Sequence, residues 1–243
     1  MSVPTATRRP PRKAWTVADL YRKFGPIPFE RIRQDPPPGC GTVEDVDRLN
    51  NHEGRLYELV DGILVEKTMG LEESLLGGWI LTLLNNFIRP LGLGVVAGEA
   101  GTIKLDIDLV RIPDVPNFSW DRFPGGEIPE EAIPLVVPDL VVEVTSPSRT
   151  RKEMDDKLRG YFDKGARLVW FVRPRTRVVD VYASPDRFTR LTASMQLDGG
   201  DVLTGFSVQA AEIFEIPKRP GAPKGGKNRG PRPGKADGRR GRK

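Results

Sequence analysis

The chain has 243 residues, a formal net charge of +5, a hydrophobic fraction of 38% and a charged fraction of 29%, which suits one globular domain with a full core and extensions at its ends. The richest apolar stretch, around Leu75 to Leu84, is interrupted by glycine and too short to cross a bilayer, so no membrane association is expected. Cys40 is the only cysteine and His52 the only histidine, which excludes a disulfide framework, a Cys/His zinc site and catalysis built on several histidines, and leaves carboxylates, lysines and hydroxyls for any chemistry.

Met1 to Trp15 carries Arg8, Arg9, Arg12 and Lys13 among prolines, and no apolar run or cleavage site follows, so a cytoplasmic location is expected. Residues 1–14 read as disordered. Thr16 is placed to cap a short helix with Val17, Leu20 and Phe24, before Pro26, Pro28 and Pro36-Pro37-Pro38 stop regular structure through Gly41. Thr42 opens a second helix, with Asp45 three residues on as its capping-box partner. His52 lies in the polar run Asn50 to Gly54 and reads as a solvated loop residue.

Two strand-like runs, Arg55 to Val60 and Ile63 to Lys67, flank Asp61-Gly62, a dipeptide suited to a tight hairpin turn. Leu71, Leu75, Leu76, Trp79, Ile80, Leu83, Leu84, Phe87 and Ile88 recur at helical spacing and predict a long helix with one face on a sheet, ended by Pro90 and Gly92. Strands are expected over Gly94–Gly98, Thr102–Leu105, Val115–Ser119 and Leu140–Thr145. A helix follows from about Lys152 to Lys164, with Gly165 as its stop, then strands over Arg167–Val172 and Arg177–Tyr182. This order predicts a mixed α/β domain over residues 42–216, between an N-terminal extension (1–41) and a tail (217–243).

The tail holds eleven Lys/Arg against one Asp, so the rest of the chain is net acidic. A basic Pro/Gly-rich appendage on an acidic body suits a polyanion such as DNA; a solubilising disordered tail is the plainer alternative.

Two acids stand out. Val110-Arg-Ile-Pro-Asp114 ends a strand-like segment in an acid. In Asp139-Leu-Val-Val-Glu-Val-Thr145, strand alternation puts Val141, Glu143 and Thr145 on one face of an otherwise apolar strand. A carboxylate buried there needs a partner, because an unpaired buried charge costs several kcal/mol. A cation meets that need. The plainer alternatives are a turn-capping role for Asp114 and a salt bridge from Glu143 to Arg111 or Lys157.

Tyr57 to Gly62, Arg111 to Asp114, Pro138 to Ser148, Lys157-Leu158 with Tyr161, and Val169 to Val172, in that order and spacing, resemble the PD-(D/E)XK nuclease superfamily and, within it, the Uma family of restriction-endonuclease-like proteins. The resemblance covers roughly Thr42 to Phe214. It implies a restriction-endonuclease-like mixed β-sheet core flanked by helices. It further implies DNA phosphodiester hydrolysis with Mg²⁺, or Mn²⁺ in its place, held by Asp114 and Glu143. Asp139, only three residues before Glu143, suits a strand-start role instead. The motif's lysine position is Thr145, and the resemblance points to Lys157 on the next helix as its replacement, with Lys152 a more exposed substitute. A further acid is expected from the first long helix, where Glu73 matches better than Glu72; Glu58 in the hairpin is another candidate. Other readings are a nuclease-like protein that binds nucleic acid without cutting it, which Thr145 favours, and a scaffold domain. Members of this fold often pair as homodimers.

Overall fold

The computed structural model describes residues 15–215, so the stretches expected to be disordered, 1–14 and 217–243, lie outside the described residues. Twelve strands and four α-helices are described. The first helix, α1 (Val17–Phe24), is capped by Thr16, and α2 (Val43–His52) by Thr42; in each a capping box satisfies the first backbone donors, with Asp19 and Asp45 as the reciprocal partners. Strands β1 (Tyr57–Val60) and β2 (Ile63–Glu66) form the expected hairpin. Asp61 and Gly62 both have positive φ, 52° and 76°, as the twist of such a two-residue turn requires.

The long helix α3 (Leu71–Ile88) buries Leu76, Ile80, Leu84 and Ile88 at four-residue spacing. Its start departs from expectation: Leu71 and Leu75 are exposed, and the buried stripe begins at Leu76. The following strands are β3 (Gly94–Val96), β4 (Ile103–Asp106), β5 (Leu109–Arg111), β6 (Val115–Ser119) and β7 (Leu140–Val144). After α4 (Arg151–Asp163) come β8 (Leu168–Arg173), β9 (Val178–Ser184), β10 (Arg187–Leu191), β11 (Gln196–Gly199) and β12 (Leu203–Gln209).

Six strands make the main sheet, in the order β10-β9-β8-β7-β6-β3, with the β7–β8 pair parallel and its other pairs antiparallel. A second sheet, β2-β1-β5-β4, stands beside it, and β11 and β12 pair separately. The crossover from β7 to β8 is α4, the connection a parallel pair needs. It ends at Gly165, whose φ is 102°, with Ala166 N bonded to Tyr161 O and Gly165 N to Phe162 O.

The central strand β7 is buried on both faces. Leu140, Val142 and Val144 pack with the apolar stripe of α3 and with Trp170. Val141, on the other face, packs with Met154, Leu158 and Tyr161 of α4. Glu143 therefore projects toward α4.

Residues 15–41 are part of the packed structure. Leu20, Phe24 and Ile32 join Val60, Ile63 and Val65 in one apolar cluster. Arg31, 4% exposed, grips Glu153 with bonds of 2.7 and 3.0 Å, and also donates to Glu66 O and Ser148 O.

Candidate active site

Strand β6 starts directly after Pro113-Asp114 and runs antiparallel to β7 with Val115 opposite Val142. One step further in the same register sets Asp114 opposite Glu143. Both are buried, and like charges facing each other across a strand pair repel. A second pair of strands adds another acid: β1 and β5 align Leu59 with Val110, and the next step sets Glu58 beside Arg111, 3.0 Å away. Glu58 is 3% exposed, so it lies inside the fold and not on an open strand face.

Four cations offset these three carboxylates. Lys157, on the buried stripe of α4, donates to Glu58 Oε1 at 2.7 Å and Glu143 Oε1 at 3.1 Å. Arg111 pairs with Glu58 and not with Glu143. Arg149, from the β7–α4 connection, bonds Glu143 Oε2 through Nη1 while its Nη2 lies 3.6 Å from Asp114 Oδ1. Lys67, just after β2, holds its Nζ 3.0 Å from Asp114 Oδ1 and donates to Glu99 O. Tyr161 donates its hydroxyl to Glu143 Oε1 at 2.7 Å.

Asp114 Oδ2 accepts from Val144 N at 2.6 Å. Oδ1 is buried and, despite its two cationic neighbours, neither is aligned to hydrogen-bond it. The attraction there is Coulombic, and a lone pair is left for another ligand.

Burial opposes ionisation of Glu58 and Glu143, but the cations prevail: Lys157 and Arg111 hold Glu58 below the usual glutamate range, and Lys157 and Arg149 do the same for Glu143. Burial also favours neutral Tyr161, and the neighbouring Glu143 and Glu58 charges raise it further, so it stays a donor.

Asp114, Glu143 and Lys157 are thus brought together, with Glu58 as the third acid. Among the described residues Glu73 makes no ion pair or hydrogen bond with this cluster; its carboxylate lies over Gly70. Glu72 and Lys152 are exposed. Thr145 donates its hydroxyl to Val172 O at 3.2 Å. Asp139 has the strand-start role expected of it, accepting from Ser119 N at 2.9 Å and from Arg122 at 2.8 and 2.9 Å. Sequence reading missed Lys67 and Arg149. Their only local signal was position, directly after a strand and directly before a helix cap.

Outside the carboxylates lies a cleft of about 690 Å³. Arg149 and Thr145 line it at the carboxylate end, and Arg151, Arg173, Arg190 and Phe188 line it further out. Phe188 stacks on Tyr182 with ring centroids 4.9 Å apart.

Among the described residues no group of three or more His, Cys, Asp or Glu is gathered as a metal cage. The residues that could hold a divalent cation are two: Asp114 through Oδ1, which lacks a hydrogen bond, and Glu143 through Oε2, which faces Arg149. Two carboxylates with the other positions left to water suit Mg²⁺.

The sheet with α3 on one face and α4 on the other, and with its acids just before β6 and on β7, defines a restriction-endonuclease-like α/β protein. The same fold occurs in a crystal structure described as a putative nuclease belonging to DUF820 from Anabaena variabilis. That protein is 20% identical, with a TM-score of 0.62 over 71% of this chain and 97% of that one. The chain belongs to the Uma2 family, described as "Putative restriction endonuclease", whose model matches residues 43–212. No curated protein matches. Among the described residues no helix is long and apolar enough to cross a membrane.

Proposed function

We propose that this protein is a divalent-metal-dependent endonuclease acting on DNA, with Asp114 and Glu143 as the metal ligands and Lys157 as the relocated catalytic lysine. The observation that carries this reading is the convergence of Asp114, Glu143 and Lys157 in one buried cluster beside an arginine-lined cleft, in a chain of the Uma2 family. When bound, Mg²⁺ would acidify a coordinated water and offset charge developing on the phosphate.

The protein's own groups supply the rest. Val144 N fixes the Asp114 carboxylate through Oδ2, so that Oδ1 faces the site. Lys157 and Tyr161 fix Glu143 through Oε1 and leave Oε2 on the Arg149 side. Lys157 is engaged as a donor to two carboxylates, so its part is to orient an attacking water and stabilise negative charge, not to take up a proton.

The test is incubation of supercoiled plasmid with purified protein and Mg²⁺ or Mn²⁺, beside Asp114→Asn and Glu143→Gln. Nicking or linearisation by the wild type and its loss in both variants is expected. Cleavage that persists in both would remove the metal assignment. A second reading, nucleic-acid binding without cleavage, is favoured by Thr145 at the motif's lysine position; salt-sensitive DNA binding with no cleavage in either metal would select it.

A further inference from the structure

The buried cluster already holds four cations against three carboxylates, so it has one positive charge in excess without any metal. A divalent cation placed beside all four would meet strong repulsion at short range and low dielectric. Outward movement of one of the four would relieve that repulsion. Lys157 and Arg111 are both tied to Glu58, and Lys67 is anchored by Glu99 O. Arg149 differs in two ways: its guanidinium spans the two carboxylate oxygens otherwise suited to a cation, and the same residue lines the open cleft.

That cleft can receive it. Arg151 is almost fully exposed at its edge. Arg173 and Arg190 are held in place by the buried Asp180, both at 2.6 Å. A phosphodiester there would meet several guanidinium groups, and arginine pairs with phosphate through parallel hydrogen bonds as it does with carboxylate.

Resting on the metal-nuclease reading above, we propose that Arg149 competes with the divalent cation for Asp114 and Glu143. A DNA phosphate in the arginine-lined cleft draws the guanidinium outward, so cation and DNA bind cooperatively. The enzyme then assembles its metal centre only when substrate is present.

The experiment measures Mn²⁺ binding to the full chain by the electron paramagnetic resonance of free Mn²⁺, with and without a short DNA duplex. Asp114→Asn with the same duplex serves as background. Wild-type affinity for Mn²⁺ is expected to rise about tenfold or more with duplex, an ordinary size for coupling between sites. Arg149→Met is expected to bind Mn²⁺ about tenfold tighter than wild type without duplex and to gain little when it is added. Its cluster balances three carboxylates with three cations, which favours a folded variant, and Arg149→Gln provides a second, polar replacement. Arg151→Ala, which leaves the carboxylates untouched, should keep the duplex-free affinity and lose part of the gain. Folded Arg149 variants that bind Mn²⁺ no tighter than wild type, while Asp114→Asn abolishes binding, would overturn the competition and leave the metal site standing. Unchanged binding in Asp114→Asn would remove the metal site and the competition together.

Discussion

Replacing Lys157 by methionine keeps the aliphatic stem and removes the ammonium that joins Glu58 to Glu143 across 2.7 and 3.1 Å. Each carboxylate retains one arginine, Arg111 for Glu58 and Arg149 for Glu143. Breaking a buried ion pair by removing one partner costs about 3–5 kcal/mol, a large part of a typical domain stability of about 5–15 kcal/mol. For a chain of this size that corresponds to a melting temperature lower by roughly 10 °C. The dependence on pH gives the sharper check. Glu58 and Glu143 are held below their ordinary value of 4.5, so their pairing contributes stability that is full above that pH and is lost as pH falls through the folded-state values. The stability gap between wild type and Lys157→Met should therefore be full at pH 7 and shrink below about pH 4.5. Urea unfolding followed by far-UV circular dichroism at neutral and acid pH measures both. A Lys157→Met protein as stable as wild type at pH 7, or a gap that widens on acidification, would refute the electrostatic account.

Tyr161→Phe removes one hydrogen bond to Glu143 while Lys157 remains on the same oxygen, so a loss of about 1–2 kcal/mol is expected in the same urea assay. Gly94→Ala should destabilise more, by over about 2 kcal/mol, because φ is 151° and a Cβ would fall 2.0 Å from Phe118 O, forcing β3 and β6 apart; thermal melting reads this directly. Removing the basic tail from Pro217 should flatten the dependence of DNA affinity on salt, since fewer phosphate contacts release fewer counterions; fluorescence anisotropy at several salt concentrations measures the slope. An unchanged slope would show that the tail does not contact DNA.

Much of the scaffold was legible because it is written in local periodicity. The Asp-Gly hairpin, the four-residue stripe of α3 and the two-sided burial of β7 each follow from neighbours in sequence. The later strands were not: β10 is exposed at four of its five positions and β11 is four residues long and ends in glycine, so neither shows an alternating apolar signal. The site divides the same way. Glu143 was marked by its apolar strand and Asp114 by its motif, whereas Glu58 becomes an inner residue only when β1 pairs with β5, a contact between segments some fifty positions apart. Lys67 and Arg149 reach Asp114 from two different connections, and nothing in local spacing reports such a meeting. Resemblance pointed to Glu73 on the long helix as a further acid, with Glu58 another candidate, and in this chain it is Glu58 that joins the ion-pair network.

Arg31 lies outside residues 43–212, yet it clasps Glu153 in the first turn of α4 and the Ser148 carbonyl next to Arg149. A fragment trimmed to the family boundary would keep every acid and lysine of the cluster and lose the strut beside the Arg149 connection. Glu153 would then lose its ion-pair partner and keep only its capping bond from Thr150 N, at the root of the Arg149 loop. Expression boundaries for this protein are therefore a matter of the geometry of the buried cluster, and the shortest faithful version of the domain begins at the cap of α1.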